Sequence, residues 1–104
     1  MTEAAWQRVV IDLARWYGWQ VMHNADSRRS NPGWPDLVLA GHGRVIFAEL
    51  KAEKGRLSAA QKTWLTALSS ASLEVCVWRP ADQPEVLRVL GPAQVRLPKV
   101  TLWR

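Results

Sequence analysis

The sequence has little cysteine and little histidine: one Cys and two His occur in 104 residues. Cys76 has no second cysteine with which to form an internal disulfide, and no Cys/His spacing resembles a zinc site, which excludes a disulfide scaffold and a zinc finger. No apolar run approaches the ~18–20 residues that span a bilayer, and the first residues lack the basic and apolar regions of a signal peptide. We therefore expect a cytoplasmic protein with no membrane partner.

Positive charge is what the sequence has in excess. Its 14 Lys and Arg residues outnumber 9 Asp and Glu residues, for a formal charge of +5. Such an excess suits a polyanionic partner, but it is also common on proteins that bind none. A chain of this length buries roughly 60–70% of the surface that its unfolded form exposes, enough for one core. We expect one domain over residues 1–91, with an extension of it over 92–104 that forms an edge strand, a dimer contact or a flexible tail.

Apolar periodicity predicts an α/β protein with the element order α-β-β-β-α-β-α. The predicted elements are helices over 2–17, 58–71 and 83–90 and strands over 19–23, 36–40, 44–51 and 73–78. The short connection at 41–43 fits an antiparallel hairpin, and the helix over 58–71 opens on a capping box formed by Ser58 and Gln61. A right-handed crossover through that helix makes strands 44–51 and 73–78 parallel neighbours. The result is a small mixed sheet flanked by helices.

Three charged residues stand at the ends of the two hairpin strands. Asp36 begins one strand, while Glu49 and Lys51 end the other and point to the same side because they are two residues apart. Two carboxylates about 4 Å apart repel by roughly 4 kcal/mol at an effective dielectric of ~20, so a cation between them is favoured. An all-oxygen site suits Mg²⁺ or Mn²⁺, which would activate a bound water that Lys51 could orient or help to deprotonate.

These residues belong to a longer motif series that resembles a known family. Gly33-Trp-Pro-Asp36, Phe47-Ala-Glu49-Leu-Lys51 and Arg56-Leu-Ser58-Ala-Ala-Gln61 occur in that order on the predicted elements. Together they resemble the VRR-NUC branch of the PD-(D/E)XK nucleases, over nearly the whole chain as far as Leu90. The resemblance implies a restriction-endonuclease-like core.

The resemblance also implies a role for each matching position. Asp36, Glu49 and the Leu50 backbone carbonyl would bind the divalent metal, Lys51 would assist the nucleophilic water, and Gln61 would support the site. Many members carry a glutamate in the first helix with a glutamine four residues on, which Glu3 and Gln7 match. Glu3 is therefore a further candidate at the metal site.

From this resemblance we expect a Mg²⁺- or Mn²⁺-dependent DNA endonuclease with no small-molecule cofactor. Small stand-alone members, often viral or bacterial, act as homodimers on branched DNA such as four-way junctions, which places the protein in a bacterial cell or a phage-infected host. The alternatives are a non-catalytic nucleic-acid-binding module of the same fold and an accessory subunit of a recombination or packaging complex.

Simpler interpretations exist for several of these residues. Asp36 could cap a strand, Glu49 and Lys51 could form a solvated ion pair, and Glu3 could be a surface residue near a fraying terminus. Gln61 has a structural role as the capping-box partner of Ser58.

Basic and aromatic residues near the motifs are candidate DNA contacts. Trp34 precedes Pro35-Asp36 in a polar loop, where it could stack on a base. The basic candidates for phosphate contacts are Arg28, Arg29, Lys54, Arg56 and Lys62, each of which could equally be a solvated surface charge. Four other tryptophans lie on apolar faces and are expected in the core: Trp6, Trp16, Trp64 and Trp78.

Overall fold

A computed structural model describes residues 1–24 and 31–91. Its elements are α1 (Glu3–Trp16), β1 (Gln20–His23), β2 (Leu37–Gly41), β3 (Arg44–Leu50), α2 (Ala59–Ser70), β4 (Glu74–Trp78), a short 3₁₀ turn (Pro80–Asp82) and α3 (Gln83–Leu90). The predicted order of helices and strands is confirmed, with the 3₁₀ turn added before α3. The predictions for Arg28, Arg29 and the extension over 92–104 fall outside the described residues.

The four strands form one mixed sheet in the order β1-β2-β3-β4. β2 is antiparallel to both β1 and β3, and β4 lies parallel to β3, as the helical crossover predicts. The hairpin between β2 and β3 turns through His42 and Gly43, both with positive φ, which matches the right-handed twist of the strands. The register pairs Leu37 with Ala48 and so brings the start of β2 beside the end of β3.

The main core lies on the face of the sheet that α1 and α3 cover. Alternate residues of the two central strands point there and are fully buried: Leu37, Leu39, Ile46, Ala48 and Leu50. Trp6 of α1 donates its indole N–H to the Trp78 carbonyl at 2.9 Å, and Trp19 donates to the Leu90 carbonyl at 3.1 Å. These two hydrogen bonds fix α1 and α3 against the sheet while satisfying the polar atoms of large buried rings.

The prediction that Trp16 is in the core is wrong. Its side chain is 82% exposed, whereas Ala14, two residues earlier, is completely buried. Two residues turn the chain about 200° around a helix axis, which carries Trp16 to the solvent side of α1. Phe47 points to the opposite face of the sheet, where Trp34 and Trp64 of α2 pack against one another. None of the described helices is both long and apolar enough to span a membrane.

Candidate active site

Asp36 and Glu49 meet at the end of the β2–β3 hairpin. The Asp36 backbone N–H donates to Glu49 Oε1 at 3.2 Å, and the Leu50 backbone N–H donates to Asp36 Oδ2 at 2.9 Å. The Asn24 N–H donates to the Asp36 carbonyl at 2.8 Å, which ties the end of β1 to the same point. The hairpin register therefore brings the two acidic residues together, as their sequence positions suggest.

Glu49 is almost completely buried, with 1% of its surface exposed. Burial, followed by the negative charge of Asp36, raises the pKa of the Glu49 carboxyl to about 8, and the nearby Lys51 ammonium opposes that rise. A buried carboxylate beside a second one is costly unless a proton or a cation offsets the charge. At this end of the sheet, a proton on Glu49 or a cation beside it would offset the charge.

Lys51 lies between Glu49 and the first turn of α1. Its Nζ is 3.6 Å from Glu49 Oε2 and 3.7 Å from Glu3 Oε1. The Lys51 side chain is 11% exposed, whereas Glu3 is 45% exposed. Glu3 therefore contacts Lys51, which in turn contacts Glu49, and Glu3 is more solvent-exposed than Lys51.

Gln61 has two contacts that correspond to its two predicted roles. Its Oε1 accepts the Ser58 backbone N–H at 2.8 Å, and Ser58 Oγ accepts the Gln61 N–H at 3.1 Å, which completes the capping box of α2. Its Nε2 donates to Glu49 Oε2 at 2.8 Å. One side chain thus caps α2 and orients the buried carboxylate.

The donor atoms available suit a hard divalent ion. Within residues 1–24 and 31–91, no three His, Cys, Asp or Glu side chains lie together in a way that could hold a metal. The arrangement instead brings together Asp36 and Glu49, and Mg²⁺ commonly uses one or two carboxylates while retaining several waters. An all-oxygen set of this kind fits Mg²⁺ or Mn²⁺ and does not suit zinc.

The loop before Asp36 is held closely against α2. Gly33 has φ +87°, and a Cβ atom there would lie 2.3 Å from the Ala60 carbonyl carbon, so glycine is required at this crossing. The next residue, Trp34, packs edge-to-face on Phe47 and Trp64, with ring centroids 5.8 and 4.9 Å apart. Trp34 and Trp64 also line a cavity of about 290 Å³ with three other residues: Met22, Asn24 and Asn31.

The basic candidates that the structure describes lie at the surface. Lys54 and Arg56 are exposed in the connection between β3 and α2, and Lys62 is exposed in the first turn of α2 after Gln61. None of the contacts found in the described part of the chain joins them to Asp36 or Glu49. They are exposed side chains outside the acidic cluster, and their predicted contacts with phosphates stay a prediction.

Sequence reasoning missed Arg79, which holds the loop that follows Lys51. Its Nη1 lies 2.8 Å from the Ala52 carbonyl oxygen, 3.2 Å from that of Glu53 and 2.6 Å from that of Gly55. Because its partners are backbone atoms more than 20 residues away, no side-chain pattern in the sequence signals the contact. The only local sign is an arginine directly after a strand whose last residue, Trp78, is buried.

The four-stranded mixed sheet with its flanking helices is the restriction-endonuclease-like core that the sequence resemblance implied. The model of the VRR-NUC domain matches residues 4–82, most of the chain, and the protein belongs to the VRR-NUC family. A solved structure described as a VRR_NUC domain protein has a TM-score of 0.63 and 20% identity, covering 86% of this chain and 88% of the other. That likeness confirms the fold. Among curated proteins the sequence has no significant match.

Proposed function

We propose that this VRR-NUC protein is a metal-dependent DNA endonuclease that hydrolyses phosphodiester bonds at the Asp36–Glu49 cluster. The observation that carries the proposal is the almost complete burial of Glu49 against Asp36, with Lys51 beside it, at the end of a hairpin in a nuclease-type fold. Buried ionisable groups of like charge are rare in a purely structural role and are typical of functional sites.

In this proposal Asp36, Glu49 and the Leu50 carbonyl hold one Mg²⁺ or Mn²⁺ ion. When bound, such an ion lowers the pKa of a coordinated water and offsets charge on a phosphate. Gln61 keeps one Glu49 oxygen in a fixed direction through its amide hydrogen bond. Lys51 orients the attacking water and stabilises the negative charge that develops on the phosphate, while Glu3 holds the Lys51 ammonium in place.

The remaining assignments concern the DNA. Trp34 is proposed to contact a base at the mouth of the aromatic cavity, because aromatic rings stack on bases with little sequence preference. Lys54, Arg56 and Lys62, together with Arg28 and Arg29, are proposed to contact phosphates, which position a nucleic acid without reading its sequence.

The preference for branched DNA and the homodimeric state rest on the resemblance to small stand-alone VRR-NUC proteins. Two sites related by a twofold axis could make paired nicks across a four-way junction, whereas a single site would only nick or trim. Gel filtration with light scattering tests this part separately. A homodimer has twice the 11.8 kDa of one chain, and a mass of one chain at micromolar concentration contradicts the dimer.

The test of the proposed function is cleavage of labelled linear, flapped and four-way-junction DNA with Mg²⁺ or Mn²⁺. Lys51→Ala should lower the rate roughly 100-fold or more, since one positioned group in the transition state contributes at least that much. Arg88→Gln is the matched control, because it also removes one positive charge. Arg88 is exposed on α3, where it pairs with Glu85, so this variant should cleave DNA at the wild-type rate.

Two results would contradict the proposal in different ways. A wild-type protein that binds DNA but cuts none of the three substrates is a binding module and not a nuclease. A Lys51→Ala variant that cuts at the wild-type rate shows that the reaction takes place elsewhere.

A further inference from the structure

A second feature beside the acidic cluster is a cleft between α1 and β1. It has a volume of about 250 Å³ and is lined by six residues: Ala4, Gln7, Arg8, Ile11, Arg15 and His23. Of the five from α1, Ala4, Arg8, Ile11 and Arg15 follow one another at three or four residues and so share one face of the helix, which Gln7 borders. The lining contains two arginines, a histidine and an amide, and no acidic residue.

Three arginines elsewhere in the described part of the chain have partners, and the two arginines of this cleft do not. Arg44 pairs with Glu74, Arg79 with loop carbonyls and Arg88 with Glu85. Within the part of the chain that the structure describes, the side chains of Arg8 and Arg15 make no hydrogen bond or ion pair, including with Asp12 between them in sequence. Both are exposed, so their charge is available to a ligand.

The cleft begins at the acidic cluster. His23 pairs with Leu37, the residue after Asp36, and Glu3 adjoins the first cleft residue, Ala4, while its carboxylate contacts Lys51. From there α1 carries the cleft away from the cluster. Arg15 comes seven positions after Arg8, a distance of about 10 Å along a helix axis. Three base steps of DNA cover about the same length along the DNA axis.

We propose that this cleft binds the phosphate backbone of the DNA strand that flanks the cleaved bond. Arg8 and Arg15 each contact a phosphate, and Gln7 and His23 line the path between them and the acidic cluster. This inference rests on the proposed function, because it takes DNA as the substrate. An extended polyanion is favoured over a single small anion because the two guanidinium groups are spread along the helix.

The test is DNA binding measured by fluorescence anisotropy with a labelled four-way junction in chelator, between 50 and 200 mM salt. Each phosphate contact on duplex DNA contributes about 0.9 to the slope of log affinity against log salt. The double variant Arg8→Gln/Arg15→Gln should therefore lower the slope by about 1.8, and each single variant by about 0.9. Arg88→Gln should leave the slope unchanged.

Two further variants and measurements keep the outcomes separate. Arg8→Lys/Arg15→Lys should restore most of the slope, and circular dichroism should show that all variants fold. A double glutamine variant with the wild-type slope and affinity overturns the cleft assignment. The assignment also fails if inorganic phosphate, at the same concentration of charge, displaces the DNA completely.

The cleft and the proposed nuclease activity can fail independently. If the wild type binds DNA with the arginine-dependent slope but cuts nothing, the cleft assignment stands and the nuclease proposal fails. If the wild type cuts and the double glutamine variant binds and cuts equally well, the nuclease proposal stands and the cleft assignment fails. A wild type that binds no DNA overturns both.

Discussion

At the scale of single residues, the molecule's least usual feature is a buried carboxyl group with a raised pKa. Glu49 is the one polar or charged residue that is fully buried among those described. Its neighbours supply a backbone N–H, an amide and an ammonium 3.6 Å away, which offset only part of the cost of an ionised carboxylate at that depth. A folded state that retains such a group at neutral pH gives up stability for it.

The first prediction concerns the stability of the metal-free protein as the pH changes. The pKa of Glu49 rises from 4.5 in the unfolded chain to about 8 when folded, so between these values the folded state holds a proton that the unfolded state has lost. The contribution of Glu49 is therefore complete below about pH 4.5 and is lost as the pH rises toward 8, at up to about 1.4 kcal/mol per pH unit.

Thermal unfolding in chelator at pH 5 to 8 measures this effect. Glu49→Gln cannot titrate and should remove the decline, so the stability of the wild type relative to the variant should fall as the pH rises. Equal pH dependence of the two proteins contradicts the assignment of the raised pKa to Glu49.

At the scale of elements, the cap of α2 and the acidic cluster share one side chain, and variants can separate the two roles. Gln61→Glu keeps an acceptor for the Ser58 N–H but removes the amide donor and places a carboxylate against Glu49. It should impair cleavage and metal affinity with little loss of helix stability.

Ser58→Ala is the matched variant on the same cap. It removes the acceptor of the Gln61 N–H and should lower the free energy of unfolding by about 0.5–2 kcal/mol. Cleavage at a temperature where the variant is folded should change little. If both variants impair cleavage equally, the cap and the site are not separable in this way.

Arg79, the residue directly after β4, holds the loop that follows Lys51. Arg79→Ala removes a guanidinium group that contacts the three loop carbonyls, and hydrogen bonds to charged groups contribute roughly 1.5–3 kcal/mol each when intact. We expect faster amide hydrogen exchange at 52–57 and slower cleavage, with partial rescue by Arg79→Lys. Unchanged exchange at 52–57 contradicts a role of Arg79 in holding the loop.

The elements were predictable because each depends on a local pattern. Helical spacing, the Ser58–Gln61 box and the short glycine-containing hairpin connection are readable from neighbouring residues, and the approach of Asp36 to Glu49 then follows. Trp16 was misplaced because an apolar residue near the end of a stripe was assigned to the core regardless of its angle around the helix. Arg79 and Gly33 depend on backbone atoms of distant elements, which no local pattern reports.

At the scale of the whole molecule, the structure shows where part of the positive charge behind the net +5 lies. Lys51 lies against the acidic cluster, and Arg8 and Arg15 line a cleft that leads away from it along α1, so positive charge continues from the cluster along one path. The sequence predicts phosphate contacts near the motifs, but charge balance does not say which arginines are already paired. Within residues 1–24 and 31–91, Arg44 and Arg88 form ion pairs, whereas Arg8 and Arg15 form none.

The most direct test of the central claim is the rate of junction cleavage in chelator and after Mg²⁺ is restored, for the wild type and Asp36→Asn. We predict no cleavage in chelator, recovery of the wild type with Mg²⁺, and no recovery of Asp36→Asn, while all samples still bind DNA. Cleavage that persists in chelator, or an Asp36→Asn variant that recovers with the wild type, contradicts a metal-dependent reaction at the Asp36–Glu49 cluster.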